Sequence, residues 1–164
     1  MLISYGLYFL LAMFIHELGH LAAARVCAVP ATELGLGWGK QLLGFRWGTV
    51  EYKLHALPLG AYVRLDMGEL QRRPISQQVL VMLAGINVNL VAAALTVGTR
   101  FSAVNLLLAA TNLLPLYQQD GWKCGMLMLR AMLSRRSALV EWTFTIAGSF
   151  VSAVLFAVEI FRHM

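Results

Sequence analysis

Charge is what this sequence has least of. Thirteen Lys and Arg and eight Asp and Glu make up 13% of 164 residues, where soluble domains usually carry about 25%. A disordered chain needs high charge and little apolar content, and 59% of these residues are hydrophobic. A small water-soluble domain exposes a large surface that so few polar residues cannot cover. The only cysteines are Cys27 and Cys124, too few for a disulfide-stapled scaffold. What remains is an integral membrane protein. The net charge of +5 suggests a nucleic-acid partner only if the basic residues cluster on a water-facing surface.

Their positions argue otherwise. A transmembrane helix takes about 20 mostly apolar residues. Residues 1–26, 77–99 and 137–161 meet that requirement, and 101–116 is apolar but short. Arg25, Lys40, Arg46, Lys53, Arg64, Arg72 and Arg73 lie between the first two segments or at their ends, and Lys123, Arg130, Arg135 and Arg136 between the last two. Only Arg100 and Arg162 fall elsewhere. The positive-inside rule then places both basic stretches in the cytoplasm and both termini outside. The charge is a topology signal, and no nucleic acid is expected to bind.

The expected fold is an α-helical integral membrane protein of about four transmembrane helices, the third one broken. Residues 31–65 have another texture, rich in Gly, Trp, Tyr, Val and Leu. The runs 33–38, 41–47 and 50–57 read as short strands, predicting a small antiparallel sheet at the cytoplasmic membrane surface. Residues 117–136 form a loop and helix, and the whole of 1–164 reads as one domain. Cys27 and Cys124 both fall on the cytoplasmic side, where a disulfide is not expected.

Residues 16–20 read His-Glu-Leu-Gly-His. On a helix, His16 and His20 are one turn apart and share a face, a spacing at which two imidazoles hold one zinc ion. Glu17 beside them is placed to take a proton from an attacking water. Ionisable groups within a membrane helix are costly and point to function. A catalytic zinc usually has three protein ligands. His55 lies in the sheet and His163 at the outer terminus, so neither is well placed, and Asp120 stands out among the acids. From Met1 to His16 a helix runs about 22 Å, and from Phe101 to Pro115 about 21 Å. Both paths reach a similar depth, where Pro115 stops the third segment and the chain can bring Asp120 toward the histidines. Asp120 also suits a helix N-cap.

Three further stretches follow His16–His20 in order: Leu57-Pro58-Leu59-Gly60-Ala61-Tyr62-Val63, Ala84-Gly85-Ile86-Asn87-Val88-Asn89, and Asn112-Leu113-Leu114-Pro115 through Asp120-Gly121. Together the four resemble the HExxH, Pro-Leu-Gly-Gly-Tyr-Val, Ala-Gly-Pro-x-x-Asn and Asn-x-x-Pro…Asp-Gly motifs of the site-2 protease family of intramembrane zinc metalloproteases. Ile86 stands where that family usually has Pro, Ala61 where it has Gly, and Trp122 where a second Gly is common. The resemblance implies one Zn2+ per chain, held by His16, His20 and Asp120, with Glu17 as general base. Asn89 and Asn112 are the candidates for holding substrate backbone or a developing oxyanion, because side-chain amides do so without charge.

The resemblance further implies a minimal catalytic core without PDZ or CBS modules, set in a prokaryotic cell membrane. Its expected substrate is a single-span membrane protein, such as an anti-sigma factor or a membrane-tethered transcription factor, cut in or near its transmembrane segment. A helical substrate must unwind before attack, and the edge of the 31–65 sheet could accept it by strand addition. The alternative reading is a metal-binding or metal-transporting membrane protein using the same His and Asp ligands. Transport needs ligands open alternately to each side, often on internal repeats; the sequence shows one site and no repeat.

Overall fold

A computed structural model describes residues 2–114, 116, 119–132 and 138–162. Pro115, expected to stop the third segment, lies outside the described residues, as do Arg135, Arg136 and His163. The chain forms two compact units, residues 1–110 and 111–164.

The first unit opens with α1 (Leu2–Val26), 25 residues long. Ala28 ends it in the left-handed region at φ 52°. The Val29 N–H donates back to Ala24 O at 2.8 Å, the bond that closes a helix when its C′ residue is left-handed. Pro30 follows and bars continuation. The Arg73 guanidinium donates to Ala28 O at 2.7 Å, satisfying one carbonyl at the helix end.

Two long strands come next, β1 (Ala31–Trp47) and β2 (Val50–Leu65), paired antiparallel in a two-stranded sheet. The expected sheet is present over the expected residues, with fewer and longer strands. Gly48, at φ +63°, sits at the first central position of the two-residue turn between Trp47 and Val50, where a II′ hairpin takes glycine. Beyond the hairpin the register breaks repeatedly. Residues 33–36 face Arg64, Val63, Tyr62 and Ala61 in descending order and also Glu51, Tyr52, Lys53 and Leu54 in ascending order. The second lane therefore runs parallel, which a reading of consecutive hairpins does not foresee. Lys53 bridges Glu33 at 2.9 Å and Glu51 at 3.2 Å, and Arg64 reaches Glu33 at 3.1 Å. The Lys53 hydrogen bond holds the Glu33 carboxyl below its ordinary value, and the Glu33 hydrogen bond in turn raises Lys53. Leu34 and Val50 are buried against Leu21 of α1, with Phe14 and Leu18 beside them.

A short α2 (Met67–Arg72) is capped by Asp66, whose carboxylate accepts from the Glu69 N–H at 3.0 Å. Then α3 (Ile75–Leu95) follows, and α4 (Arg100–Leu113) begins after a turn in which Gly98 takes φ +83°. The second segment thus ends at Leu95 and not near residue 99. The Thr99 hydroxyl accepts from the Ser102 N–H at 3.1 Å and starts the next helix as its cap.

Polar side chains face inward: His16, His20, Gln78, Asn89, Ser102 and Asn105 are buried, while Leu7, Leu80, Val91 and Leu107 are exposed. That inversion suits lipid and not water. Among the described residues two helices are long and apolar enough to cross a membrane, Ser4–Val26 and Ile75–Leu95, and Leu139–Val151 is a shorter apolar stretch.

The second unit holds the end of α4, then α5 (Asp120–Met132) and α6 (Ala138–Arg162). Arg130 grips Glu141 with two bonds of 2.7 and 2.9 Å. A cavity of about 270 Å³ lies beside this pair, lined also by Trp122, Met126, Trp142 and Thr145.

Candidate metal centre

The centre is built where α1 and α3 come unusually close. Gly19 makes this possible: a Cβ there would lie 2.8 Å from both Ala84 O and Val88 Cγ2. Small residues let membrane helices approach at backbone distance. Facing it, Gly85 leaves the room in which the two imidazoles sit. A Cβ at Gly85 would come within 2.6 Å of His16 Cε1, His16 Nε2 and His20 Nε2.

Both rings are buried, at 5% and 7% exposure, and α3 holds each by its Nδ1. His20 Nδ1 lies 2.7 Å from Val81 O. A backbone carbonyl only accepts, so this nitrogen carries the proton. His16 Nδ1 lies 2.7 Å from Asn89 Oδ1. The Asn89 Nδ2 donates to Ala12 O at 3.2 Å and to Asn105 Oδ1 at 2.8 Å. Those contacts identify the amide nitrogen, so the oxygen faces His16 and accepts from its Nδ1–H.

The two Nε2 atoms are 3.1 Å apart. With each Nδ1 engaged as a donor, Nε2 is the nitrogen through which each ring would bind a metal. Two zinc–nitrogen bonds of about 2.0–2.1 Å at a tetrahedral angle would span about 3.3 Å, close to what is seen. The imidazole pair fits such an ion with little movement. Protonated Nδ1 atoms anchored by the surrounding protein are also the usual outer support of metal-binding histidines.

Glu17 follows His16 on α1 and is half-buried. Asn89 was expected at the substrate; the structure gives it another occupation. It is fully buried, and both of its N–H groups are already donated. A donor for an oxyanion must point at the reacting atom, whereas this amide stands behind His16. Asn112 and Asp120 belong to the second unit. Asn112 is half-buried near the end of α4. Asp120 is buried at the first residue of α5, where the helix dipole favours its charge, and its Oδ1 accepts from Lys123 Nζ at 2.9 Å. Gly121 is required beside it, because a Cβ there would collide with the Leu113 carbonyl.

Three contributors lay outside the sequence reading. Val81 acts through its backbone, which leaves no mark in its side chain. Gly85 falls within a quoted motif, but its role depends on the approach of α1 and α3. Asn105 was legible as a polar residue inside an apolar run, a feature that points to function in membranes.

A glutamate beside two metal-ready imidazoles on a helix of membrane-spanning length defines a metallopeptidase type of centre. Comparison with known proteins agrees. The model of peptidase family M50 matches residues 4–103. A Synechocystis sp. protein with a zinc metalloprotease name is 38% identical over 89 residues, 47% of this chain and 24% of its own length. A similarly named Brucella suis protein is 48% identical over 54 residues, 32% of this chain and 14% of its own. The chloroplastic protein ARASP2 of Arabidopsis thaliana, named as a membrane metalloprotease, is 33% identical over 104 residues, 56% of this chain and 24% of its own. The matches span a quarter or less of these relatives' lengths. The chain belongs to peptidase family M50, the family its motifs resemble, and it is a membrane protein.

Proposed function

We propose that this chain is a zinc endopeptidase that hydrolyses a peptide bond in or near the transmembrane segment of membrane-bound substrates. The observation that carries the reading is the pair of Nε2 atoms turned toward each other at 3.1 Å, each ring fixed from behind. His16, His20 and Asp120 are the ligands. Two imidazoles and a carboxylate make a three-residue set of the catalytic kind. When bound, zinc lowers the pKa of water and polarises the scissile carbonyl. Glu17 takes the proton of the attacking water and returns it to the leaving amine nitrogen. Asn112 offers a side-chain amide to substrate backbone or to the developing oxyanion.

Four membrane segments follow from the apolar runs, and both termini outside with the sheet toward the cytoplasm from the distribution of Lys and Arg. The substrates are single-span membrane proteins, with anti-sigma factors and membrane-tethered transcription factors as the candidates, in a prokaryotic cell membrane. Substrate strand addition at the sheet is part of the same reading. Residues 58–60, which have no partner in the sheet register, suit it, since Leu59 is exposed and a Cβ at Gly60 would lie 3.5 Å from Met13 of α1. Leu59→Pro is expected to slow cleavage with zinc content intact; cleavage at the wild-type rate removes the edge from the mechanism.

The test of the function is metal content with activity. Purified protein should carry one zinc per chain and cut a single-span substrate. Chelation should stop cleavage, zinc should restore it, and His20→Ala should lose the metal. A wild-type protein without zinc, or cleavage indifferent to chelation, would overturn the reading.

A further inference from the structure

We propose that Asn105 is a positioning residue for the metal centre: through Asn89 it fixes which nitrogen of His16 carries the proton, and so keeps the His16 Nε2 lone pair turned toward the metal. The inference rests on the zinc reading of the site, and it concerns a residue on a third helix, α4, that bonds to Asn89 and Phe101.

The direction of every bond in the chain is forced. Asn105 Nδ2 donates to Phe101 O at 2.9 Å. That carbonyl belongs to α4 and can only accept, so the other end of the Asn105 amide is its oxygen. This oxygen meets Asn89 at 2.8 Å and can only accept there. Asn89 must therefore present its nitrogen, which also donates to Ala12 O on α1 at 3.2 Å. The Asn89 oxygen is left for His16 Nδ1 at 2.7 Å, and the ring must supply the proton. Turning either amide over would set donor against donor or acceptor against acceptor. Both asparagines are 0% exposed, so no solvent repairs the mismatch, and an unmade buried hydrogen bond is costly. Two backbone carbonyls, one on α1 and one on α4, thus dictate the tautomer of a ring on α1.

His20 provides an internal control. Its Nδ1 is held by Val81 O at 2.7 Å, a backbone group that Asn105 does not touch. A change at Asn105 should disturb His16 and leave His20 alone, which a general loosening of the fold would not do.

The test uses the whole chain in detergent micelles, labelled with 15N-histidine and freed of metal, so that the tautomer of each ring is read without zinc. In the wild type His16 and His20 should both show the Nδ1–H form. Asn105→Leu should spread His16 over both tautomers with His20 unchanged, and in a separate titration zinc affinity should fall about 10- to 100-fold. Asn105→Asp, entering the buried site as the neutral acid, can donate to Phe101 O and accept from Asn89, and should restore both readouts. If Asn105→Leu does not fold, Asn105→Ala removes the same two bonds without added bulk and is read in the same way. His16 keeping its Nδ1–H form without Asn105, or both rings changing together, overturns the proposal. A wild type that shows the expected tautomers but binds no zinc overturns the zinc reading instead, so the two failures are separable.

Discussion

Glu17→Gln is expected to hold zinc at the wild-type stoichiometry while cleavage of a single-span substrate falls by about 10²- to 10⁴-fold, the usual worth of a positioned acid–base group. Glutamine keeps the shape of the side chain beside His16, and α3 holds the Nδ1 of both rings. What the amide cannot do is accept a proton from water. Zinc analysis and a fragment assay on the same preparation check both halves. Undiminished cleavage would remove Glu17 as the base, and loss of the metal would make it part of the binding set. Zinc uptake into vesicles containing the wild type, with no proteolysis, would favour the transport alternative.

Gly85→Ala should be as damaging by another route. The added methyl would enter space within 2.6 Å of three imidazole ring atoms, far inside van der Waals contact. The rings cannot retreat without breaking the Nδ1 bonds to Asn89 and Val81, so the two Nε2 atoms must separate or α3 must move away. Overpacking of this kind costs about 1–3 kcal/mol. At a centre set by two rings, we expect zinc affinity to fall at least about 100-fold, at or beyond the range for altered outer support. Gly6→Ala, with nothing within 4 Å of its added carbon, is the matched control on α1 and should bind zinc as the wild type does. Equal affinity in Gly85→Ala and Gly6→Ala would show that the close approach of α1 and α3 does not shape the centre.

The zinc-facing side of this centre was more legible than its supports. His16 and His20 could be placed on one face of α1 from spacing alone, because a helix has a fixed period. The boundaries of residues 31–65 as a sheet region could be read from composition and turn residues. Its parallel lane could not, since pairing between residues 33–36 and 51–54 depends on how the hairpin folds over and not on local propensity. The role of Asn89 escaped for a similar reason. An asparagine can donate to a substrate or accept from a histidine, and what decides between them is Asn105, sixteen positions along and on another helix. Asp120 was singled out by chemistry and depth, and it is the first residue within α5, one position past the cap.

The separation of these supports along the chain has a consequence for biosynthesis. His16 is held by a residue 73 positions later and His20 by a carbonyl 61 positions later, while the orientation of the first depends on Asn105. When α1 first leaves the ribosome, its imidazoles and Glu17 have none of these restraints. The sheet closes only once residue 65 has emerged, and the His16 relay only once α4 has reached Asn105. A nascent chain is therefore a latent protein: the histidines are made first, and the centre acquires its geometry only when later helices have been inserted beside them.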